Sequence, residues 1–402
     1  MSFRITEKRI PANSGPLFCI FSSWLQIDRQ LRTKEFNDMN IHNLPPIELK
    51  LFPYDLDFKF DAGTSRGVLK QKRTYLIQLT DGKRTAWGEA GPLKGLSVDD
   101  RPTVQEEMTS LLEQWSSAQD FPATLAEVPK WAQERIPDSL PSLRFGMEMA
   151  WMDYFNGGKR MIFDTPFYHG QEAIPINGLV WMGSEEFMAQ QMEQKLKAGF
   201  ACIKMKIGAI DYDREMNLLH QLRRQYSANK IVLRVDANGA FAPDEAREVL
   251  RDLNRLEVHS IEQPLKAGQW EAMGRLCHQA VTPVALDEEL IGLSTQQEQT
   301  EMMNEIQPQY IILKPTLVGG IAASLQWIQH ADTLKAGWWM TSALESNVGL
   351  NAIAQFTAHL KVTMPQGLGT GQLYHNNFAS PLQIHDGAIT YKQETDWEIA
   401  VP

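Results

Sequence analysis

The feature that most constrains this chain is a recurrence of short charged patterns, each closing a β-branched or apolar run. Lys204-Met205-Lys206, Arg234-Val235-Asp236-Ala237-Asn238, Ser260-Ile261-Glu262-Gln263-Pro264, Leu286-Asp287-Glu288-Glu289 and Ile312-Leu313-Lys314-Pro315 follow one another in chain order. The steps are 30 residues from Lys206 to Asp236, 26 on to Glu262, 25 to Asp287 and 27 to Lys314. Helix-length amphipathic stretches fill the gaps. One strand, one helix and two loops occupy such a period, and that is the repeat of a β/α barrel. A barrel gathers the C-terminal ends of its strands on one face, so residues far apart in sequence meet there.

The residue types at those ends favour chemistry. Lys204 and Lys206 are two apart on a strand and share a face, while Met205 points the other way. Barrel interiors are normally aliphatic, so two inward lysines need anionic partners or a function; the plain alternative is an outward, solvated face. Each lysine disfavours the other's charge, which predicts a lowered pKa for the pair and an amine base near neutral pH. Asp236, Glu262 and Asp287 form a hard-oxygen set suited to Mg²⁺, with Mn²⁺ possible; taken singly, Asp236 and Asp287 also fit helix starts. Asn238 and Arg234 share the face of Asp236. Asn238 is expected to support the ligands from behind, and Arg234 to partner acidic neighbours or substrate. Glu288 and Glu289 are left open between support and solvent.

On these residues, from about Leu49 to Ile389, the chain resembles the enolase superfamily. Within that superfamily it resembles the muconate-lactonising-enzyme subgroup, and most closely the o-succinylbenzoate synthase family. The resemblance implies an α/β fold: a modified (β/α)₇β TIM-type barrel with an α+β capping domain. It implies Lys206 as base, Lys204 assisting it, and Lys314 opposite them across a metal held by Asp236, Glu262 and Asp287. It also implies a small dicarboxylate substrate. The expected reaction is Mg²⁺-dependent syn-dehydration of 2-succinyl-6-hydroxy-2,4-cyclohexadiene-1-carboxylate. N-succinylamino acid racemisation is the alternative, muconate cycloisomerisation is third, and a catalytically silent metal-binding scaffold stands for a different class. Dipeptide epimerases of the superfamily carry an Asp-x-Asp pair at the eighth strand end. Gly367-Leu368-Gly369-Thr370-Gly371 stands there instead, which argues against an amino-group substrate.

The chain divides at about residues 46, 165 and 370. Residues 1–46 are expected to be a dispensable extension, with Met39 able to serve as a start. Their apolar stretch Leu17–Phe21 is broken by Ser22-Ser23 and has no small-residue cleavage site before Asp28, so a signal peptide is rejected. Residues 47–165 read as the α+β capping domain. Strands are expected at Ile47–Phe60, Gly67–Leu79 and Thr85–Glu89, with Asp81-Gly82 as the hairpin turn and helices near 104–115, 124–133 and 142–155. Its two glycine-punctuated loops, 62–67 and 90–97, match the family's lid loops, and Thr64, Ser65 and Arg66 are candidates for substrate contact. Residues 166–370 read as the barrel, with strand ends near Asn177, Lys206, Asp236, Glu262, Asp287, Lys314, Ser342 and Gly367 and seven helices. Gly319 and Ser342 are further substrate-contact candidates, against the plainer reading of helix starts. Residues 371–402 are expected to return to the capping domain.

Composition narrows the partners. The formal charge is −10 and basic residues form no runs, which argues against nucleic acid. The three cysteines, Cys19, Cys202 and Cys277, are too few and scattered for a disulfide framework, and reduced thiols fit a cytoplasmic enzyme. No apolar run reaches membrane-spanning length. The oligomeric state is not legible.

Overall fold

The computed structural model describes residues 46–64, 67–208 and 211–401. All but the last residue of the expected extension, 1–46, lies outside the described residues, as do Ser65, Arg66 and the side chain of Thr64.

The capping domain opens with an antiparallel sheet of three strands, β1 (Glu48–Thr64), β2 (Gly67–Thr80) and β3 (Thr85–Ala90), in the order β1-β2-β3. The β2–β3 turn forms at Asp81-Gly82. Gly82 takes φ +80°, and Asp81 Oδ1 accepts from the N–H groups of Lys83 (2.9 Å) and Arg84 (2.7 Å). Three helices follow, α1 (Val104–Ala118), α2 (Val128–Arg135) and α3 (Pro141–Phe155). The sequence marks one inward stripe on α3, at Leu143, Met147, Ala150, Trp151 and Tyr154. The structure buries every residue of α3, because the helix is sandwiched between β3 and the barrel. Its approach to β3 is backbone to backbone: a Cβ on Gly88 would stand 1.9 Å from the carbonyl oxygen of Gly146.

The barrel has seven parallel strands in sequence order: β5 (Gly178–Val180), β6 (Cys202–Lys206), β7 (Val232–Asp236), β8 (Ser260–Glu262), β9 (Val284–Leu286), β10 (Tyr310–Leu313) and β11 (Gly337–Met340). Their outward residues, such as Ile203, Met205, Leu233 and Val235, pack beneath surrounding helices. Among the described residues seven long helices surround the strands: 185–197, 212–225, 243–255, 270–278, 296–306, 320–334 and 347–359. Local sequence starts several of them. Ser184 Oγ accepts from Phe187 N–H, and Thr295 and Glu298 cap each other reciprocally. The eighth strand shrinks to Gln366 and Gly367, which bridge Ile176 and Thr341 in parallel and close the ring. Among the described residues only a single 3-10 turn, Thr370–Gln372, and no α-helix follows it, as the (β/α)₇β pattern requires.

Two capping-domain glutamates lock the domains together. Glu89, on β3, accepts from Ser346 N–H (2.9 Å), Ser346 Oγ (2.6 Å) and Gly349 N–H (2.8 Å) at the start of helix 347–359. Glu148, on α3, accepts from Ile321 N–H (2.5 Å) and Ala322 N–H (3.3 Å) at the start of helix 320–334. Each carboxylate satisfies orphan donors at a helix N-terminus. The tail first crosses to the capping sheet, where Lys59 N–H donates to Leu373 O and His375 N–H to Asp57 O. It then forms a hairpin, β12 (Leu382–His385) and β13 (Ala388–Tyr391), whose second strand pairs with β4 (Ile174–Pro175) at the start of the barrel. No helix among the described residues is long and apolar enough to cross a membrane.

Candidate active site

Strand register builds the mouth of the barrel. Lys206 pairs with Asp236 across β6–β7, and Asp236 with Glu262 across β7–β8; Asp287 and Lys314 each follow directly on their strands. These five charged groups therefore share one layer at the strand C-termini, and Lys204, level with Arg234, lies one layer lower and reaches up to them. Lys204 (6% exposed) and Lys206 (8%) do point inward. The Lys204 ammonium bonds Glu262 and lies 3.0 Å from Asp236 Oδ2, and Lys206 lies 2.9 Å from the same oxygen. On the far flank Lys314 bonds Asp287. Asn238, held at φ +45°, accepts from Lys206 at 2.6 Å and donates to Glu288 at 3.0 Å, so it braces the lysine against a further acid.

Electrostatics follows from this pairing. Burial works against the Lys204 ammonium, but Asp236 and Glu262 more than offset it and hold its pKa above the ordinary lysine value. Lys314 is raised in the same way, burial being outweighed by Asp287 and Glu262. The expected lowering of the lysine pair is thus corrected for Lys204: adjoining carboxylates outweigh repulsion between the two ammonium groups. Despite its burial Asp236 is held well below the usual carboxylate range by Lys204 and Lys206. Glu262 behaves oppositely, since burial and then the charge of Asp236 push its carboxyl up to about 8.

Two further expectations are corrected. Arg234 has the predicted face but the wrong depth. It lies two residues below Asp236, in the barrel floor, where its guanidinium stacks 4.0 Å from the centre of the Trp339 ring and donates to Pro365 O. It partners neither an acidic side chain nor the cavity, because β7 carries it one layer beneath the mouth. Gly319 (φ +100°) faces a separate cleft beside Arg144 at the domain boundary, since the one-turn helix Pro315–Val318 carries it away from Lys314. Ser342 does line the central cavity. Its hydroxyl is engaged by Glu345 (2.5 Å) and Thr370 (2.7 Å), so it braces the loop it sits on.

Sequence reasoning missed three residues. Gln263, at φ +39°, accepts from the N–H groups of Asp287 (3.1 Å) and Glu289 (3.3 Å) and fixes the β9 end to β8. Its place beside Glu262 in a strand-end pattern was the available signal. Glu345 ties Thr316, just after Lys314, to Ser342. Glu89 approaches from another domain, and nothing local announces it.

The mouth opens into a cavity of about 380 Å³ lined by Lys204, Lys206, Asp236, Asn238 and Lys314, with Gly67–Leu69 and Leu93–Gly95 from the two capping-domain loops along its rim. Among the described residues no three acidic, histidine or cysteine side chains are close enough together, as they stand, to hold a metal ion. The lysines stand between the carboxylates instead. The donor set nevertheless fits a divalent cation. Three buried carboxylates on consecutive strands supply only hard oxygens, and Glu262 Oε1 is buried without a hydrogen-bond partner.

A capped parallel barrel with lysines on both flanks of three strand-end acids is built for proton transfer next to a carboxylate. Comparison with known proteins bears on which one. Residues 187–395 match the family model "Enolase C-terminal domain-like", and residues 47–154 match "MenC, N-terminal domain". The o-succinylbenzoate synthase of Desulfotalea psychrophila is 43% identical over 364 residues, covering 85% of this chain and 98% of that protein. The crystal structure of MenC from the same organism superposes with a TM-score of 0.75 at 39% identity, covering 86% of this chain and 99% of that one. Muconate lactonizing enzyme from Pseudomonas fluorescens shares the fold, with a TM-score of 0.74 at 17% identity over 89% of this chain and 98% of that one. The chain belongs to the enolase superfamily and, within it, to the o-succinylbenzoate synthase family.

Proposed function

We propose that this protein is a carbon–oxygen lyase that dehydrates 2-succinyl-6-hydroxy-2,4-cyclohexadiene-1-carboxylate to o-succinylbenzoate, a step of menaquinone formation. The observation that carries the reading is the meeting of Lys204 and Lys206 from one flank and Lys314 from the other in a single cavity over three buried carboxylates. Its support is the 43% identity to a protein of that name along almost its whole length.

Asp236, Glu262 and Asp287 would hold the cation, Mg²⁺ or Mn²⁺, with Asn238 and Gln263 fixing the strand ends behind them. Bound there, the cation would supply positive charge beside the substrate carboxylate. Lys206 removes the proton α to the carboxylate, and the electron pair passes into that carboxylate. Lys204 and the Lys314 ammonium stabilise the negative charge that develops. Lys206 then returns its proton to the hydroxyl at the neighbouring ring carbon as that C–O bond breaks and water leaves. One lysine acting on one face accounts for syn elimination. The loops Gly67–Leu69 and Leu93–Gly95 cover the mouth and limit water there.

The test is direct. Purified full-length protein with Mg²⁺ is mixed with the cyclohexadiene, and the diene absorbance is followed beside an EDTA-treated control. Rapid, EDTA-sensitive loss with o-succinylbenzoate as product is expected. No loss from folded protein in Mg²⁺ would overturn the synthase reading and leave N-succinylamino acid racemisation to be assayed.

A further inference from the structure

The ring of strands is closed up to the mouth on the β11 side, where Ser342 N–H donates to Gly367 O, but only low down on the β5 side. Gln366 and Gly367 bridge Ile176 and Thr341, and Asn177 N–H donates to Gln366 O; above that point β5 is paired with β6 on one side only. No strand among the described residues pairs with the other edge of Gly178–Val180. The central cavity leaves the barrel through this seam, past Leu179 and Gln372, to Lys195, Phe200 and Ile384. An adjoining hollow on the outer side shares Lys195, Phe200, Gln372 and Ile384.

Lys195 is unusual among the cations of this cavity. Lys204, Lys206 and Lys314 are all committed to carboxylates at the mouth. Of the other lysines lining it, Lys94 is exposed, whereas Lys195 is largely shielded. Its stem lies along the bare backbone of Gly178, where a Cβ would come within 3.0 Å of the Lys195 Cβ and Cγ. Its ammonium stands 5.3 Å from the centre of the Phe200 ring. No carboxylate among the described residues pairs with it, and burial, with no opposing charge, lowers its pKa. A shielded cation without an anionic partner is costly, and that cost is relieved when an anion arrives.

We propose that Lys195 recognises the second carboxylate of a dicarboxylate substrate, holding it in the open seam while the first carboxylate lies at the barrel mouth. Leu179, Phe200 and Ile384 give the seam apolar walls suited to the methylene chain between the two ends. The inference rests on the dicarboxylate substrate proposed above, and it assigns specificity to a residue that lies outside the ring of strands.

The experiment compares wild type, Lys195→Met and Lys195→Arg as full-length Mg²⁺-loaded protein. Turnover of the cyclohexadiene is measured, and calorimetry reads binding of o-succinylbenzoate and of o-butyrylbenzoate, which lacks the distal carboxylate. Loss of one charge-assisted contact should raise KM about 10- to 100-fold in Lys195→Met with kcat little changed, and Lys195→Arg should recover most of it. o-Succinylbenzoate should bind Lys195→Met more weakly by a similar factor, while o-butyrylbenzoate is unaffected. If KM and both affinities stay near wild type, or both ligands weaken equally, the assignment is overturned. An inert wild type would overturn the proposed reaction instead, and o-succinylbenzoate binding would still read the Lys195 contact.

Discussion

Two groups of carboxylates are equally removed from solvent and are answered in different ways. Asp236, Glu262 and Asp287 at the barrel mouth are each 2% exposed, and Glu89 and Glu148 at the domain boundary 0% and 1%, so burial does not distinguish them. Their partners do. At the mouth the partners are lysine ammonium groups on flexible stems. At the boundary they are largely backbone N–H groups fixed at the starts of two helices. A side-chain cation can give way to another cation or turn to a substrate. A helix terminus cannot. The same chemical group therefore makes an exchangeable centre in one place and a permanent joint in the other.

The largest effects should separate the two regions by function. Lys206→Ala and Lys314→Ala should each lower kcat about 100- to 10,000-fold, the usual scale for losing a positioned proton-transfer or charge-stabilising group, while the melting temperature stays near wild type. Steady-state kinetics beside thermal melts checks this. Near-normal turnover by either variant would remove its role, and unfolding would make the mouth a structural joint after all.

Next in size is the boundary. Glu89→Ala would strand the N–H groups of Ser346 and Gly349, and it would leave the buried Lys72 ammonium without its strongest neighbouring carboxylate. A loss of about 3 kcal/mol or more is expected in urea unfolding, with the Mg²⁺ affinity of the folded protein largely preserved. Stability within about 0.5 kcal/mol of wild type would show that the helix start is satisfied without Glu89.

What the sequence disclosed follows the same division. The barrel and its mouth were legible because strand ends recur at a fixed period and a period of two assigns faces; Lys204, Lys206, Asp236, Glu262, Asp287 and Lys314 all lie where that reading puts them. Face is not depth, however. Arg234 shares its face with Asp236 yet lies a layer lower, against Trp339, and only the tilt and stagger of the closed barrel determine that. Gly319 failed for a related reason, because a one-turn helix after Lys314 redirects the chain. The boundary was illegible altogether. Glu89 meets residues 257 and 260 positions away, and Glu148 others 173 and 174 away, contacts that no local pattern encodes. A single inward stripe also could not reveal that α3 is enclosed on all sides.

The finest test of the comparison is a pH dependence at the boundary. Burial pushes the Glu148 carboxyl from 4.5 up to about 7, even though two helix N–H groups favour its charge. A folded-state pKa above the unfolded one means the folded protein binds more protons between those values. Stability from this group is therefore full below about pH 4.5, declines as pH rises through about 7, and is flat beyond. Other buried acids titrate nearby, Glu262 among them, so the quantity to measure is the difference between wild type and Glu148→Gln. Melting temperatures at pH 5 and pH 8 should show wild type losing about 1–3 kcal/mol more than the variant over that interval. Parallel curves would mean that the helix N-terminus compensates the buried charge in full. Glu148 would then resemble Asp236 at the mouth, a buried carboxylate held ionised, the one by backbone and the other by lysine.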